Sequence, residues 1–138
     1  MSEIEFTGKL GERAQERLKS EQIAWLTTVR PNGIPEPNPI WFHWDGSSVI
    51  LRSQDNLKVR NIRANPHVAL NFNSDGGRDI VVLRGLARIG TETDFDAIRD
   101  DYFHKYAEGI KSLGTTPERM ASSYAVVIVI EPTKLRGF

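Results

Sequence analysis

Cysteine is absent from the 138 residues. That excludes disulfides, thiolate catalysis, redox CXXC chemistry and cysteine-ligated zinc or iron–sulfur clusters. Long apolar runs are also missing. None approaches the roughly 18 residues of a membrane-spanning helix, and the opening MSEIEFTGKLGERAQ lacks the apolar segment of a signal peptide. Net charge is missing as well: 18 Lys and Arg balance 18 Asp and Glu, which removes the usual reason to expect nucleic-acid or membrane-surface binding. Neither a P-loop nor a Rossmann glycine spacing occurs, and no HEXXH or GXSXG motif is found. His43, His67 and His104 stand apart without metal-ligand spacing. These absences leave a single domain over residues 1–138, expected in the cytoplasm, with no nucleic-acid partner and no membrane insertion. A chain of this length buries about two-thirds of its surface, enough for a core of its own.

Hydropathy patterning predicts a mainly β chain. Leu10, Ala14 and Leu18 recur every fourth residue, so a helix around Glu12–Lys19 can lie on a sheet by that stripe. Ile23–Val29 is β-branched and aromatic and reads as a strand, closed by a Pro31-Asn32-Gly33 turn. Pro35, Pro37 and Pro39 predict edge or irregular backbone until Ile40–Trp44 resumes as a strand. Asp45-Gly46 then turns the chain into Ser48–Ser53. A short helix after Asp55, capped by Asp55 or Asn56, is expected to stop before Pro66. Val68–Phe72 and Ile80–Ile89 are strands, the second bent or bulged at Gly85. From Thr91 to about Leu113 the stripe Phe95, Ile98, Tyr102, Tyr106, Ile110 predicts one long amphipathic helix. Thr116-Pro117 opens a further short helix, and Tyr124–Ile130 is a strand, with Pro132 and a final extension through Phe138. The sum is about six strands joined mostly by tight turns, which favours a closed or nearly closed antiparallel barrel with helices outside it.

Positive charge is concentrated in one segment. Arg52-Ser53-Gln54 ends a strand, and a helix carrying Lys58, Arg60 and Arg63 follows at once. Unpaired N–H groups at a helix start, with lysine and arginine beside them, suit a phosphate. Lys58 and Arg60 lie two apart, about 200° around the helix, and cannot share a face. Arg52 lies in an apolar strand, where an unpaired charge is costly unless an anion meets it. Its phase is open because Val49, Ile50 and Leu51 are all apolar. Trp41 and His43 share one strand face while Phe42 and Trp44 share the other. One of those faces packs the core; the other covers a subunit interface or lines a flat cofactor pocket. Asp94, Asp96, Asp100 and Asp101 read as a solvated acidic face.

The string Trp41-Phe42-His43-Trp44-Asp45-Gly46, Arg52-Ser53-Gln54, Lys58-Val59-Arg60-Asn61-Ile62-Arg63 and Asn65-Pro66-His67-Val68-Ala69-Leu70 resembles the pyridoxamine-phosphate-oxidase-like split barrels. More narrowly it resembles their deazaflavin (F420)-dependent oxidoreductase branch. The similarity continues through Val81–Ala87 to the final stretch. The resemblance implies a homodimer of six-stranded antiparallel split barrels with cofactor clefts between the subunits. It makes Lys58 and Arg60 phosphate ligands, sets Arg52 and Ser53 near the phosphate or ring, and adds Gln54 and Asn61 as support. Asn38, Pro39 and Trp41, within the Pro37–Trp41 stretch, would border the ring. The implied cofactor is F420, with FMN as the alternative, and a haem- or flavin-binding carrier is a third use of the same barrel. F420 has a longer polyanionic tail, for which Lys9, Arg63 and Arg78 are candidate surface cations. The implied reaction is hydride transfer to a small electron-poor acceptor, with no catalytic acid singled out and no metal.

Overall fold

The computed structural model describes residues 6–137. Phe138 of the expected terminal extension, and residues 1–5 of the domain, lie outside the described residues. The strands are β1 (Ala24–Val29), β2 (Pro35–Ile40), β3 (His43–Trp44), β4 (Val49–Ser53), β5 (His67–Asn71), β6 (Val81–Ile89) and β7 (Val126–Gly137). The helices are α1 (Gly8–Ser20), α2 (Leu57–Ala64), α3 (Glu92–Asp96), α4 (Arg99–Lys105), α5 (Ala107–Ser112) and α6 (Pro117–Ser123). One antiparallel sheet of seven strands runs in the order β2-β1-β5-β6-β7-β4-β3. Its two outermost strands, β2 and β3, are separated in sequence only by Trp41 and Phe42. So short a link spans about 10 Å at most, so the sheet must curl until its ends approach. The result is an antiparallel half-barrel joined by chain, without a ladder between β2 and β3 among the described residues.

Seven strands replace the six expected, because the proline segment is a strand. The pairing of Arg30 N–H with the Ile34 carbonyl at 2.9 Å sets the hairpin register. Alternation then places Val29–Pro35, Thr27–Pro37 and Trp25–Pro39 at positions that exchange no ladder bonds. All three missing donors therefore face the free edge, where proline is tolerated. The expected strand over Ile40–Trp44 shrinks to His43–Trp44, and Trp41 leaves the ladder.

Two cores share the sheet. Leu26, Phe42, Leu51, Leu70, Leu83 and Ile128 fill the barrel interior, closed by Ala14 and Leu18 of α1 and by Val59 and Ile62 of α2. The outer face of β4 and β7 presents Ile50, Val127 and Val129 to Phe95, Tyr102, Tyr106, Ile110 and Met120. Alternate residues of β7 thus serve opposite cores, which explains its unbroken apolar run. The stripe from Phe95 to Ile110 is buried as expected, but over three short helices, α3, α4 and α5. The chain breaks at Ala97–Ile98 and at Tyr106, allowing it to follow a curved sheet. β7 continues through Pro132 without stopping, because Pro132 lies opposite Gly85 at the register shift between β6 and β7.

A Cβ at Gly85 would come within 2.8 Å of the Glu131 carbonyl oxygen and 2.9 Å of the Ile130 side chain. Gly85→Ala is expected to destabilise the fold by about 1–3 kcal/mol, because a ladder strand must move to admit it. A denaturant midpoint within error of the wild type would show that the bulge yields freely.

Lys105 adds a pH dependence. Its ammonium donates to the Phe42 carbonyl at 2.9 Å and lies 3.8 Å from the Phe42 ring centroid. Burial pushes its pKa down from 10.5 to about 8. Between those values the unfolded chain holds a proton that the folded chain has released, so this group makes stability rise with pH there. Burial raises Tyr102 and Tyr106, which removes stability as pH climbs above about 10. Thermal midpoints at pH 7.5 and 9.5 isolate the lysine contribution. The upward component should shrink in Lys105→Met, leaving the smaller part that comes from Lys58, whose pKa burial also pushes down. An identical slope in that variant would refute the assignment.

Candidate active site

A cleft of about 290 Å³ opens where the half-barrel is split. Pro39, Ile40 and Trp41 form one side of it, at the exit from β2. Arg52, Ser53 and Gln54, at the end of β4, form the floor with Asn56 and Lys58 at the start of α2. Tyr102, Leu113, Met120 and Tyr124, carried by the helical layer and its ends, form the remaining wall. No carboxylate lines the cleft among the described residues.

Trp41 is fixed from behind. Its ring stacks on Tyr106 with centroids 4.4 Å apart and planes 3° from parallel. The Tyr106 hydroxyl accepts from Phe42 N–H at 2.8 Å and reaches the Gln22 carbonyl at 2.7 Å, locking the stack to the link between β2 and β3. Gly109 lets α5 approach closely, since a Cβ there would stand 3.1 Å from the indole. The Trp41–His43 face is half-buried while Phe42 and Trp44 enter the barrel core, as the strand alternation predicts.

Lys58 and Ser53 make the polar end. The Lys58 ammonium donates to Ser53 Oγ at 3.3 Å, and Ser53 Oγ donates in turn to the Gln54 carbonyl at 2.7 Å. Lys58 forms no ion pair among the described residues, and burial pushes its pKa down from 10.5. Asn56 occupies the N-cap position of α2 without a side-chain capping bond. The first N–H groups of that helix therefore have no side-chain acceptor at the cap.

Arg52 answers the question of strand phase. It lies with Ile50 on the outer face of β4, under the helices, and the anion that meets it is protein. Its guanidinium forks onto Glu92 at 2.8 and 2.9 Å. Nε donates to the Tyr124 carbonyl at 2.8 Å and Nη2 to the Ala121 carbonyl at 3.0 Å, capping the end of α6. The cation also stacks over Phe95, 4.5 Å from its centroid. Four of its donor hydrogens are thus engaged, and its contribution to the cleft is to hold Tyr124 and Met120 in place. Glu92 is held below the usual carboxylate range, chiefly by the Arg52 hydrogen bonds.

Of the residues singled out by resemblance, Pro39, Trp41, Arg52, Ser53, Gln54 and Lys58 meet at this cleft. Three do not line it. Asn38 is half-buried in the β2 ladder opposite Leu26. Arg60 is exposed on α2, turned away from Lys58 as the helical angle requires. Asn61 is buried and donates to Thr28 Oγ1 at 3.0 Å, joining α2 to β1. Tyr102, Met120 and Tyr124 were not singled out. Tyr102 stood in the apolar stripe of the predicted helix and Tyr124 at the start of a predicted strand, and only the fold brings α4 and α6 to the end of β4. None of the three histidines lines the cleft, and no cluster of metal-ligating side chains occurs among the described residues. No helix among the described residues is long and apolar enough to cross a membrane.

The fold is an antiparallel half-barrel with a cation and aromatic side chains gathered in one cleft. The chain belongs to the pyridoxamine 5′-phosphate oxidase family, whose model matches residues 10–138. Among solved structures it is similar to an F420 reductase, at 28% identity over 88% of this chain and 94% of that one, with a TM-score of 0.67. A FAD-binding protein from Mesorhizobium loti shares the fold at 15% identity and a TM-score of 0.69, covering 90% of this chain and 88% of its own. The haem storage protein HutZ from Vibrio cholerae shares it at 15% identity and a TM-score of 0.69, covering 94% and 95%. No match was found among curated proteins.

Proposed function

We propose that the protein is an F420-dependent oxidoreductase that transfers a hydride between reduced deazaflavin and a small electron-poor organic acceptor. The observation that carries this reading is the pairing, in one cleft, of a cation free of carboxylates with a flat indole held rigid by Tyr106. A phosphate fits the donor set of Lys58, Ser53 and the start of α2, and a planar ring fits between Trp41 and the wall of Tyr102 and Tyr124. Reduced F420, when bound, supplies a hydride at C5 of its ring. The side chains bind and orient; buried Met120 adds apolar surface to the cleft wall, and solvent supplies the proton that completes acceptor reduction. Similarity to the F420 reductase supports this choice of ring.

FMN is the second reading, since Lys58 and Ser53 address one phosphate whatever the tail beyond it. A haem carrier is less well supported, because no histidine lines the cleft. A volume of about 290 Å³ is small for a tricyclic ring with a long tail, so a second subunit is expected to cover the remainder as a homodimer. Parallel titration of the apoprotein with F420 and FMN tests the reading, followed by oxidation of reduced F420 with an enone or quinone. Micromolar F420 binding with turnover supports the enzyme; bound cofactor without turnover supports a carrier; binding of neither removes the reading. Light scattering of the same sample tests the dimer.

A further inference from the structure

Among the described residues, two charged side chains, Arg52 and Lys58, line the cleft, and their charges are in different states. Arg52 is matched by Glu92, whose Oε1 also lies 3.9 Å from Arg99, and Arg99 lies 3.3 Å from Asp96. These two cations and two carboxylates form a group of zero net charge. Lys58 has a hydroxyl for a neighbour and no carboxylate, so it alone contributes unbalanced charge. We propose that Glu92, by neutralising Arg52, sets this subunit's share of the cleft at one positive charge, beside Ser53, and so selects a phosphodiester over a phosphate monoester.

The physical reason is desolvation. A monoester carries close to two negative charges above its second pKa of about 6, whereas a diester carries one. In a half-buried site a second anionic charge without a counter-cation loses hydration and gains no partner. Charge count therefore separates F420, whose ribityl phosphate is a diester, from FMN, whose phosphate is a monoester. Glu92 does not touch the ligand; it acts through Arg52 as a positioning residue for charge. The inference rests on the deazaflavin reading above.

Three probes sharing one ring test it at pH 8 and low salt: 8-hydroxy-5-deazariboflavin, its 5′-phosphate monoester, and F420. Wild-type protein is expected to bind F420 at least about ten-fold more tightly than the monoester. Glu92→Gln keeps an oxygen for Arg52 but deletes the charge, and should tighten the monoester so that the ratio narrows about ten-fold. Glu92→Asp should keep the wild-type ratio. Contacts of the F420 tail cancel in the comparison of variant with wild type. An unchanged ratio in Glu92→Gln, or equal weakening of both ligands, overturns the proposal and leaves Glu92 a structural role only.

A second measurement needs no variant. Lowering the pH to 5.5 converts the monoester largely to a monoanion, while Glu92 stays ionised beside Arg52. The wild-type ratio should then fall, and a ratio constant between pH 5.5 and 8 also overturns the proposal. If neither F420 nor the phosphate-free ring binds, the deazaflavin reading itself fails; if the two bind equally, the phosphate is not held and the charge inference fails. If F420 binds well but its ratio to the monoester ignores both Glu92 and pH, only the charge inference fails.

Discussion

Lys58→Gln is expected to weaken F420 binding by about 10- to 150-fold, the loss typical of one charge-assisted hydrogen bond at a partly buried site. Stability should change by no more than about 0.5 kcal/mol, because no carboxylate is left unpaired and Ser53 keeps its bond to the Gln54 carbonyl. Arg60→Gln is the matched control. Arg60 is exposed and outside the cleft, so its loss should alter affinity less than about three-fold. Fluorescence titration of both variants under identical salt decides the matter. Equal losses would place the phosphate across α2 from Ser53 and contradict the cleft described here.

Arg52→Met is expected to have the largest effect on stability, about 2–4 kcal/mol. It strands Glu92 beside Arg99 alone and leaves the Ala121 and Tyr124 carbonyls at the end of α6 without their donor. Glu92 is 55% exposed, so water recovers part of the loss, and the figure lies below that for a fully buried pair. For a chain of this length the thermal midpoint should fall roughly 5–15 °C. Arg52→Lys should recover little, since an ammonium cannot fork onto a carboxylate while also reaching two carbonyls. A midpoint within about 2 °C of wild type in Arg52→Met would mean that α6 is held by packing alone.

Local signals in the sequence carried much of this far. The apolar stripe from Phe95 to Ile110 marked the residues that now form the outer core, since burial follows side-chain period whether the helix is continuous or broken. Gly85 marked the bulge because a missing Cβ is the local requirement for close strand approach. The prolines between Pro35 and Pro39 were harder. Proline weakens any strand assignment by composition, and only the pairing register shows that every missing donor faces outward. Asn61 stood in the same string as Lys58, yet its partner Thr28 is 33 residues away, and nothing local distinguishes a buried hydrogen bond from a ligand contact.

The sequence by itself determined that this is a cysteine-free, charge-balanced chain, mainly β, with cations gathered between Arg52 and Arg63. It also determined that Lys58 and Arg60 cannot share a helix face, because a helix turns about 100° per residue. Only the tertiary structure decided which of those cations is free. Arg52 and Glu92 are 40 residues apart, and their meeting depends on α3 folding back over β4. Charge within a segment is local information, but whether that charge is neutralised depends on which distant carboxylate the fold brings to it.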